Sequence, residues 1–191
     1  VTGMTGSELA RQYVSQGHYV IGFDNFYASS IESVSDLLQN PLFLFYNYDL
    51  NNKANMDDIC QRVNDLKSNN WCGGGVIFVN CAAVVHTKHF YEVENTFQTN
   101  VLGMKDFLER AIALKADTYI NCSTSEVYSM QSWNENGGVR ESDYLAMTTA
   151  EHSQRTSYAC GKLMTEFFMK DAVDKGRIKG CSIRFANVYS K

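Results

Sequence analysis

Short apolar, β-branched and aromatic runs alternate along this chain with longer stretches of helical periodicity, and that alternation constrains its fold more than any other feature. Tyr19 to Phe23, Leu42 to Tyr46, Val76 to Cys81, Thr118 to Cys122 and Gly180 to Arg184 read as strands. Ser7 to Gln16, Asn55 to Asn69, Val93 to Leu114 and Thr156 to Lys175 read as helices, with a further helical stretch over Ile31 to Leu38. Runs such as Val76-Ile77-Phe78-Val79 are apolar at consecutive positions, so both faces of such a strand must be covered. That predicts an α/β fold, a doubly wound parallel sheet with helices on each side. Val1-Thr2 is then the tail of a first strand. No repeat, linker or low-complexity tract divides the 191 residues, whose single proline is Pro41, so one domain over 1–191 is the simplest parse.

Composition removes several classes of function. With 45% hydrophobic and 20% charged residues the chain has an ordinary globular balance, which excludes disordered, collagen-like and coiled-coil readings. A formal net charge of −4 provides no broad positive field for nucleic acid or an anionic membrane. No apolar run approaches the roughly 18 residues that span a bilayer, and Val1-Thr2-Gly3 is neither a signal sequence nor a natural beginning. The six cysteines (Cys60, Cys72, Cys81, Cys122, Cys160, Cys181) lack CxxC or Cys/His ligand spacing, which predicts reduced thiols and a cytoplasmic protein. His18, His86, His89 and His152 are scattered without carboxylate or cysteine partners, so no metal site is expected. Lys105 and Arg110 read as solvated charges, and Trp71, Trp133 and Phe167-Phe168 as packing or interface residues.

Gly3-Met4-Thr5-Gly6 falls where a first strand would hand over to a helix, and Asp24 closes the next strand 18 residues after Gly6. In a dinucleotide site, glycines let backbone N–H groups approach a pyrophosphate at a helix N-terminus, while the acid accepts hydrogen bonds from the adenosine ribose. A carboxylate repels a 2′-phosphate, so Asp24 favours NAD over NADP. A tight turn between strand and helix explains the glycines equally well.

With these residues in view, the chain resembles the extended short-chain dehydrogenase/reductase family, specifically its NAD-dependent sugar-nucleotide epimerases, dehydratases and decarboxylases. Thr2-Gly3-Met4-Thr5-Gly6, followed by Gly17-His18-Tyr19-Val20, resembles the family's T-G-x-x-G-x-x-G and G-H-x-V. The 14 positions from Gly3 to Gly17 fall short of the family spacing, as if a stretch like F-I-G were absent or disordered after Gly6. Asp24-Asn25 matches the acidic strand end, and Asp49-Leu50 the pair that contacts adenine. Asn80-Cys81-Ala82-Ala83, followed by His86, resembles H-x-A-A-x-x-H beside cofactor and substrate, and Thr99-Asn100-Val101-x-Gly103 the T-N-V-x-G of a long central helix.

Tyr158-Ala159-Cys160-Gly161-Lys162 forms Y-x-x-x-K, which on a helix puts the lysine one turn after the tyrosine on the same face. A phenol has an unperturbed pKa of about 10, and a nearby ammonium and the nicotinamide charge are expected to favour its phenolate, making Tyr158 a general base. Ser123-Thr124-Ser125-Glu126-Val127-Tyr128 resembles the family's S-[ST]-x-x-V-Y, which implies that Thr124 holds the substrate oxygen being oxidised. Arg184-Phe185-Ala186-Asn187-Val188-Tyr189 resembles R-x-x-N-V-Y, with Asn187 towards the nucleotide sugar and Ser190 in place of the usual glycine.

The resemblance implies a Rossmann-like domain without most of the family's C-terminal substrate-binding region. The implied activity is that of an NAD-dependent nucleoside-diphosphate-sugar epimerase or dehydratase working through a 4-keto sugar. Thr124, Tyr158, Lys162 and Glu126 would be catalytic, Gly3, Gly6, Asp24, Asn25, Asp49, Leu50, Ala82, Ala83 and Asn100 would hold the cofactor with Tyr158 and Lys162, and His86, Ser125 and Asn187 would meet the substrate. The Thr124-Ser125-Glu126 triplet resembles UDP-glucuronate decarboxylases in particular. A non-catalytic dinucleotide sensor is the alternative of another class, although it would be expected to lose Tyr158 or Lys162. The family often dimerises through helices that correspond to Val93 to Leu114 and Thr156 to Lys175.

Overall fold

The structure is a computed structural model that describes residues 1–69, 75–85, 92–128, 138–143, 145 and 154–189. Helix α1 (Met4–Ser15) buries Gly6, Ala10 and Val14, a spacing of four that aligns one face of a helix, and it ends before Gly17, whose φ of +84° suits glycine. Strand β1 (Val20–Asp24) pairs in parallel with β2 (Phe43–Asn47), with Val20 opposite Phe43 and Asp24 opposite Asn47. Helix α2 (Lys53–Ser68) starts at Asn52, whose side chain accepts a hydrogen bond from the Asn55 N–H at 3.2 Å. Strands β3 (Ile77–Asn80), β4 (Thr118–Thr124) and β5 (Lys179–Phe185) form a second parallel sheet in the order β3-β4-β5. Between β3 and β4 run α3 (Val93–Phe97), a π-helical segment (Gln98–Gly103) and α4 (Met104–Ala113); α5 (Gln154–Asp174) links β4 to β5.

The parallel α/β architecture is as expected, with two differences. The strands form two sheets instead of one. Val1 lies beside β1, where its nitrogen donates to the Phe23 carbonyl at 2.8 Å, and Val1-Thr2 belongs to neither ladder. The predicted Ile31 to Leu38 helix shrinks to one 3₁₀ turn, Ile31–Val34, because serine hydroxyls compete for its backbone: Ser35 Oγ donates to the Glu32 carbonyl at 2.9 Å. Helix α1 runs unbroken through Gly6. A Cβ at Gly6 would come within 2.8 Å of the Val1 carbonyl oxygen, so the bare glycine is what lets the helix sit on the chain entering it.

Side-chain alternation decides which face of the second sheet is packed. Phe78 and Tyr119 join Met56, Ile59, Met104, Phe107, Leu108 and Met169 in the main core, which binds α2, α4 and α5 to one face. Val79, Ile120, Cys122, Ile183 and Phe185 face the other way, towards a cavity bordered by α1. A smaller core joins Ala10, Val14, Val34, Leu37 and Phe43.

Candidate active site

A cavity of about 660 Å³ opens where the C-terminal ends of β1, β3, β4 and β5 meet the N-terminus of α1. This is the crevice in which open parallel sheets bind ligands. Gly3, Gly6, Asp24, Asn25, Asp49, Leu50, Ala82, Ala83, Thr124, Ser125, Glu126, Tyr158, Lys162 and Asn187 all line it, so residues far apart in sequence converge on one space. His86 lies outside the described residues. Asn100 does not line the cavity.

At one end, α1 begins at Gly3 without a side-chain cap, and a Cβ at Gly3 would meet nothing within 4 Å. Its first-turn N–H groups therefore face open space, an arrangement suited to an anion such as a pyrophosphate. Asp24 is already well supplied with donors. One carboxylate oxygen accepts from the Val1 amino group (2.8 Å) and the Thr2 N–H (3.0 Å), the other from the Phe26 N–H (3.0 Å) and the Ser29 hydroxyl (3.4 Å). Beside it, Asn25 Nδ2 donates to Asp49 at 3.1 Å, and Asp49 in turn accepts from the Asn51 N–H at 2.7 Å. Leu50 is both a cavity wall and a member of the main core.

Asn100, expected as a cofactor contact, stands behind the cavity wall in this structure. It is fully buried, its oxygen accepts from the Val84 N–H at 2.8 Å, and its amide donates to the Val84 carbonyl at 3.1 Å. Both halves of the side chain are spent holding the Ala82-Ala83-Val84 wall. The π-helical turn around Asn100 is the local departure from α geometry that accompanies this clamp. Gly161 on α5 allows close passage, since a Cβ there would meet Asn100 Cβ at 3.2 Å.

The catalytic candidates meet at the top of β4. Thr124, 8% exposed, accepts the Glu126 N–H at 3.2 Å and hydrogen-bonds the Tyr158 phenol. Lys162 is 2% exposed, and its Nζ donates to the Cys122 carbonyl at 2.8 Å. Without a cofactor in the cavity, the surroundings of Tyr158 favour the neutral phenol. Burial raises the phenol pKa, the hydrogen bond from Thr124 lowers it, Glu126 and Cys122 raise it further, and the net shift is upward. Lys162 does not offset this, because burial has pulled its own pKa down to about 8 and its ammonium is directed at a backbone carbonyl.

A polar brace without a motif to announce it holds this group. Glu166, one turn beyond Lys162 on α5, accepts from the Ser123 hydroxyl and pairs with Arg184 of β5 at 2.8 Å, and the Arg184 guanidinium lies 4.8 Å from the centre of the Tyr128 ring. Asn121 donates to Thr165 at 3.0 Å and Ser182 at 3.1 Å while accepting from Asn80 at 3.0 Å. The four-residue step from Lys162 to Glu166 was the one signal available; its partners on β4 and β5 had none. Arg110, read as a solvated charge, instead sits between Asp57 (2.6 Å) and Asp106 (2.5 Å) with its side chain 14% exposed. Lys105 lies over the Phe168 ring at 5.7 Å, while Phe167 is 56% exposed. Among the described residues no group of three or more His, Cys, Asp or Glu side chains could hold a metal, and no helix is long and apolar enough to cross a membrane.

Comparison with known proteins agrees with this geometry. The chain is 28% identical over 130 residues to Protein CapI of Staphylococcus aureus, a match covering 66% of this chain and 36% of the relative. Among solved structures it resembles the UDP-glucose 4-epimerase of Thermus thermophilus in complex with NAD, with a TM-score of 0.76 and 20% identity over 99% of this chain and 54% of the other. It also resembles DesIV, a dTDP-glucose 4,6-dehydratase of Streptomyces venezuelae with NAD and TYD bound, with a TM-score of 0.74 and 20% identity over 96% of this chain and 52% of the other. The chain thus spans about a third of that relative and about half of each solved chain. At these identities the structural likeness establishes the Rossmann-like fold. The family profile described as "NAD dependent epimerase/dehydratase family" matches residues 1–191, and the chain belongs to that family, whose cofactor is NAD.

Proposed function

We propose that residues 1–191 form the NAD-binding domain of an enzyme that acts on a nucleoside-diphosphate sugar through a 4-keto intermediate, as an epimerase or a dehydratase. One observation carries the reading: Thr124, Glu126, Tyr158 and Lys162 share a single cavity with the uncapped α1 N-terminus, Asp24 and Asp49. The residues fit the cofactor. The first turn of α1 at Gly3 and Gly6 would take the pyrophosphate, Asp49 and Leu50 the adenine end, and Asp24 the ribose, whose hydroxyls would displace one of the donors Asp24 now holds. Bound there, the nicotinamide supplies a hydride acceptor. Tyr158 removes the proton from the sugar hydroxyl, Thr124 holds the same oxygen, and a positive charge entering the cavity shifts the buried phenol towards phenolate. Asn187, Ser125 and His86 are assigned to the sugar nucleotide.

Glu126 supports a second reading, decarboxylation of a nucleotide-linked uronic acid, because it places a proton-handling group two residues beyond Thr124 in the same cavity. A bare dinucleotide sensor is disfavoured by the retention of both Tyr158 and Lys162. We also assign the protein to the cytoplasm, because six cysteines without CxxC or Cys/His ligand spacing suit a reducing compartment.

The test combines two variants with UDP-glucose, dTDP-glucose and UDP-glucuronate. Tyr158→Phe is expected to keep NAD binding and lose turnover by roughly 10² to 10⁴, the range for a lost general acid or base. Glu126→Gln is expected to reduce bound NAD with substrate, seen in the nicotinamide absorbance, without completing a dehydrated or decarboxylated product. Undiminished turnover by Tyr158→Phe overturns the catalytic assignment, and full product from Glu126→Gln leaves plain 4-epimerisation.

A further inference from the structure

Two thiols face each other at the edge of this cavity. Asn80 of β3 pairs in register with Asn121 of β4, which makes Cys81 and Cys122 the next cross-strand pair. By strand alternation both point to the face opposite α5, and their sulfurs lie 3.6 Å apart. Both line the cavity; Cys122 is 8% exposed and Cys81 is more open. Cys81 follows the last residue of β3, so its backbone lies outside the β3–β4 ladder.

We propose that Cys81 and Cys122 form an oxidisable dithiol, converted by hydrogen peroxide into a cross-strand disulfide that ties the Ala82-Ala83-Val84 wall to β4. The more accessible sulfur, Cys81, attacks the peroxide O–O bond as thiolate, forming a sulfenic acid and releasing one water with the aid of its own proton. The Cys122 sulfur then displaces the hydroxyl from Cys81, the S–S bond forms, and the hydroxyl leaves with the Cys122 proton as a second water. Two thiols lose two electrons and the peroxide gains them. A disulfide requires the sulfurs to close from 3.6 Å to about 2.05 Å, an approach that no ladder hydrogen bond at Cys81 opposes. The hydrogen bond with Cys122 lowers the Cys81 pKa, burial raises it, and the positive charge of Lys162 lowers it again, leaving a net shift towards the reactive thiolate. Because the Cys122 carbonyl also receives Lys162, closure would act on both the cofactor wall and the lysine.

The experiment treats the 191-residue protein with one equivalent of hydrogen peroxide, blocks remaining thiols and maps peptides without reduction. The expected result is a linked peptide pair containing Cys81 and Cys122, lighter by two hydrogens, that dithiothreitol separates. Under the same conditions the exposed Cys181 should stay alkylatable. In Cys122→Ala, Cys81 should accumulate as a sulfenic acid trapped by dimedone. Loss of Cys181 ahead of Cys81, a link between any other cysteines, or Cys81 and Cys122 both remaining alkylatable overturns the proposal. The readout is chemical and needs neither NAD nor substrate, so it stands or falls separately from the proposed activity.

Discussion

Lys162 is 2% exposed, and burial has brought its ammonium pKa from 10.5 to about 8. Below pH 8 it is charged in both folded and unfolded states, and the full cost of burying that charge is present. Between pH 8 and 10.5 the folded state gives up its proton first, so the unfolded state binds more protons and stability contributed by this residue rises with pH. Denaturant titrations at about pH 7.5 and about pH 10 should show wild type gaining on Lys162→Met by up to about 3 kcal/mol, from about 1.36 kcal/mol per pKa unit. A wild-type minus variant difference that stays flat over that window would show that the lysine is not destabilised by burial. Asp24 makes a second residue-scale expectation. Asp24→Asn keeps the shape and removes the charge, so NAD should weaken by the worth of a charge-assisted hydrogen bond, about 1.5–3 kcal/mol. NADP should improve relative to NAD in parallel calorimetric titrations; an unchanged NAD/NADP ratio would remove Asp24 from cofactor choice.

At the scale of elements, one charged brace ties α5 to two strands of the second sheet, beside the core packing and the Asn121–Thr165 and Lys162–Cys122 bonds. Glu166 binds Ser123 of β4 and Arg184 of β5 together, and the pair is largely enclosed, with side chains 11% and 18% exposed. Removing one partner of such a pair leaves the other charge without compensation, at a cost of about 3 kcal/mol at the lower end for buried pairs. Glu166→Gln should therefore lower the denaturation midpoint by that equivalent. Because Lys162 and Tyr158 stand on the same helix, turnover should fall as well, while Arg184→Met in the Glu166→Gln background should recover part of the stability. A double variant no more stable than the single one would indicate that the brace is not a coupled pair.

Over the whole molecule, the remaining feature is a pair of apolar helix faces. Val93 (59% exposed), Phe97 (53%) and Leu102 (42%) lie on α3 and its π-helical continuation, and Met164 (40%) and Phe167 (56%) on α5. These are the two helices expected to dimerise, and α3 and α5 pack beside each other, so the exposed side chains belong to adjoining elements. Large apolar groups exposed in such numbers mark an association surface. We expect the chain to sediment as a homodimer, and Phe97→Glu with Phe167→Glu to shift it to monomer at equal concentration without changing its circular dichroism. A wild-type chain that sediments as monomer throughout the accessible concentration range would remove this interface.

The parallel α/β class and most element positions were legible along the chain, because apolar runs and helical periodicity are local signals that survive without tertiary context. So were the residues of the cavity where a motif named them: Gly3 and Gly6, Asp24, Asp49, Thr124, Tyr158 and Lys162 converge as their order implied. How those groups behave was settled by folding. Whether Lys162 lowers the phenol pKa of Tyr158 depends on burial and on the Cys122 carbonyl 40 residues away in sequence. Asn100 belongs to a motif yet turns to Val84, and Cys81 meets Cys122 only because β3 and β4 pair in one register. Electrostatic shifts and cross-strand contacts are sums over neighbours brought together in three dimensions, and no spacing along the chain encodes them.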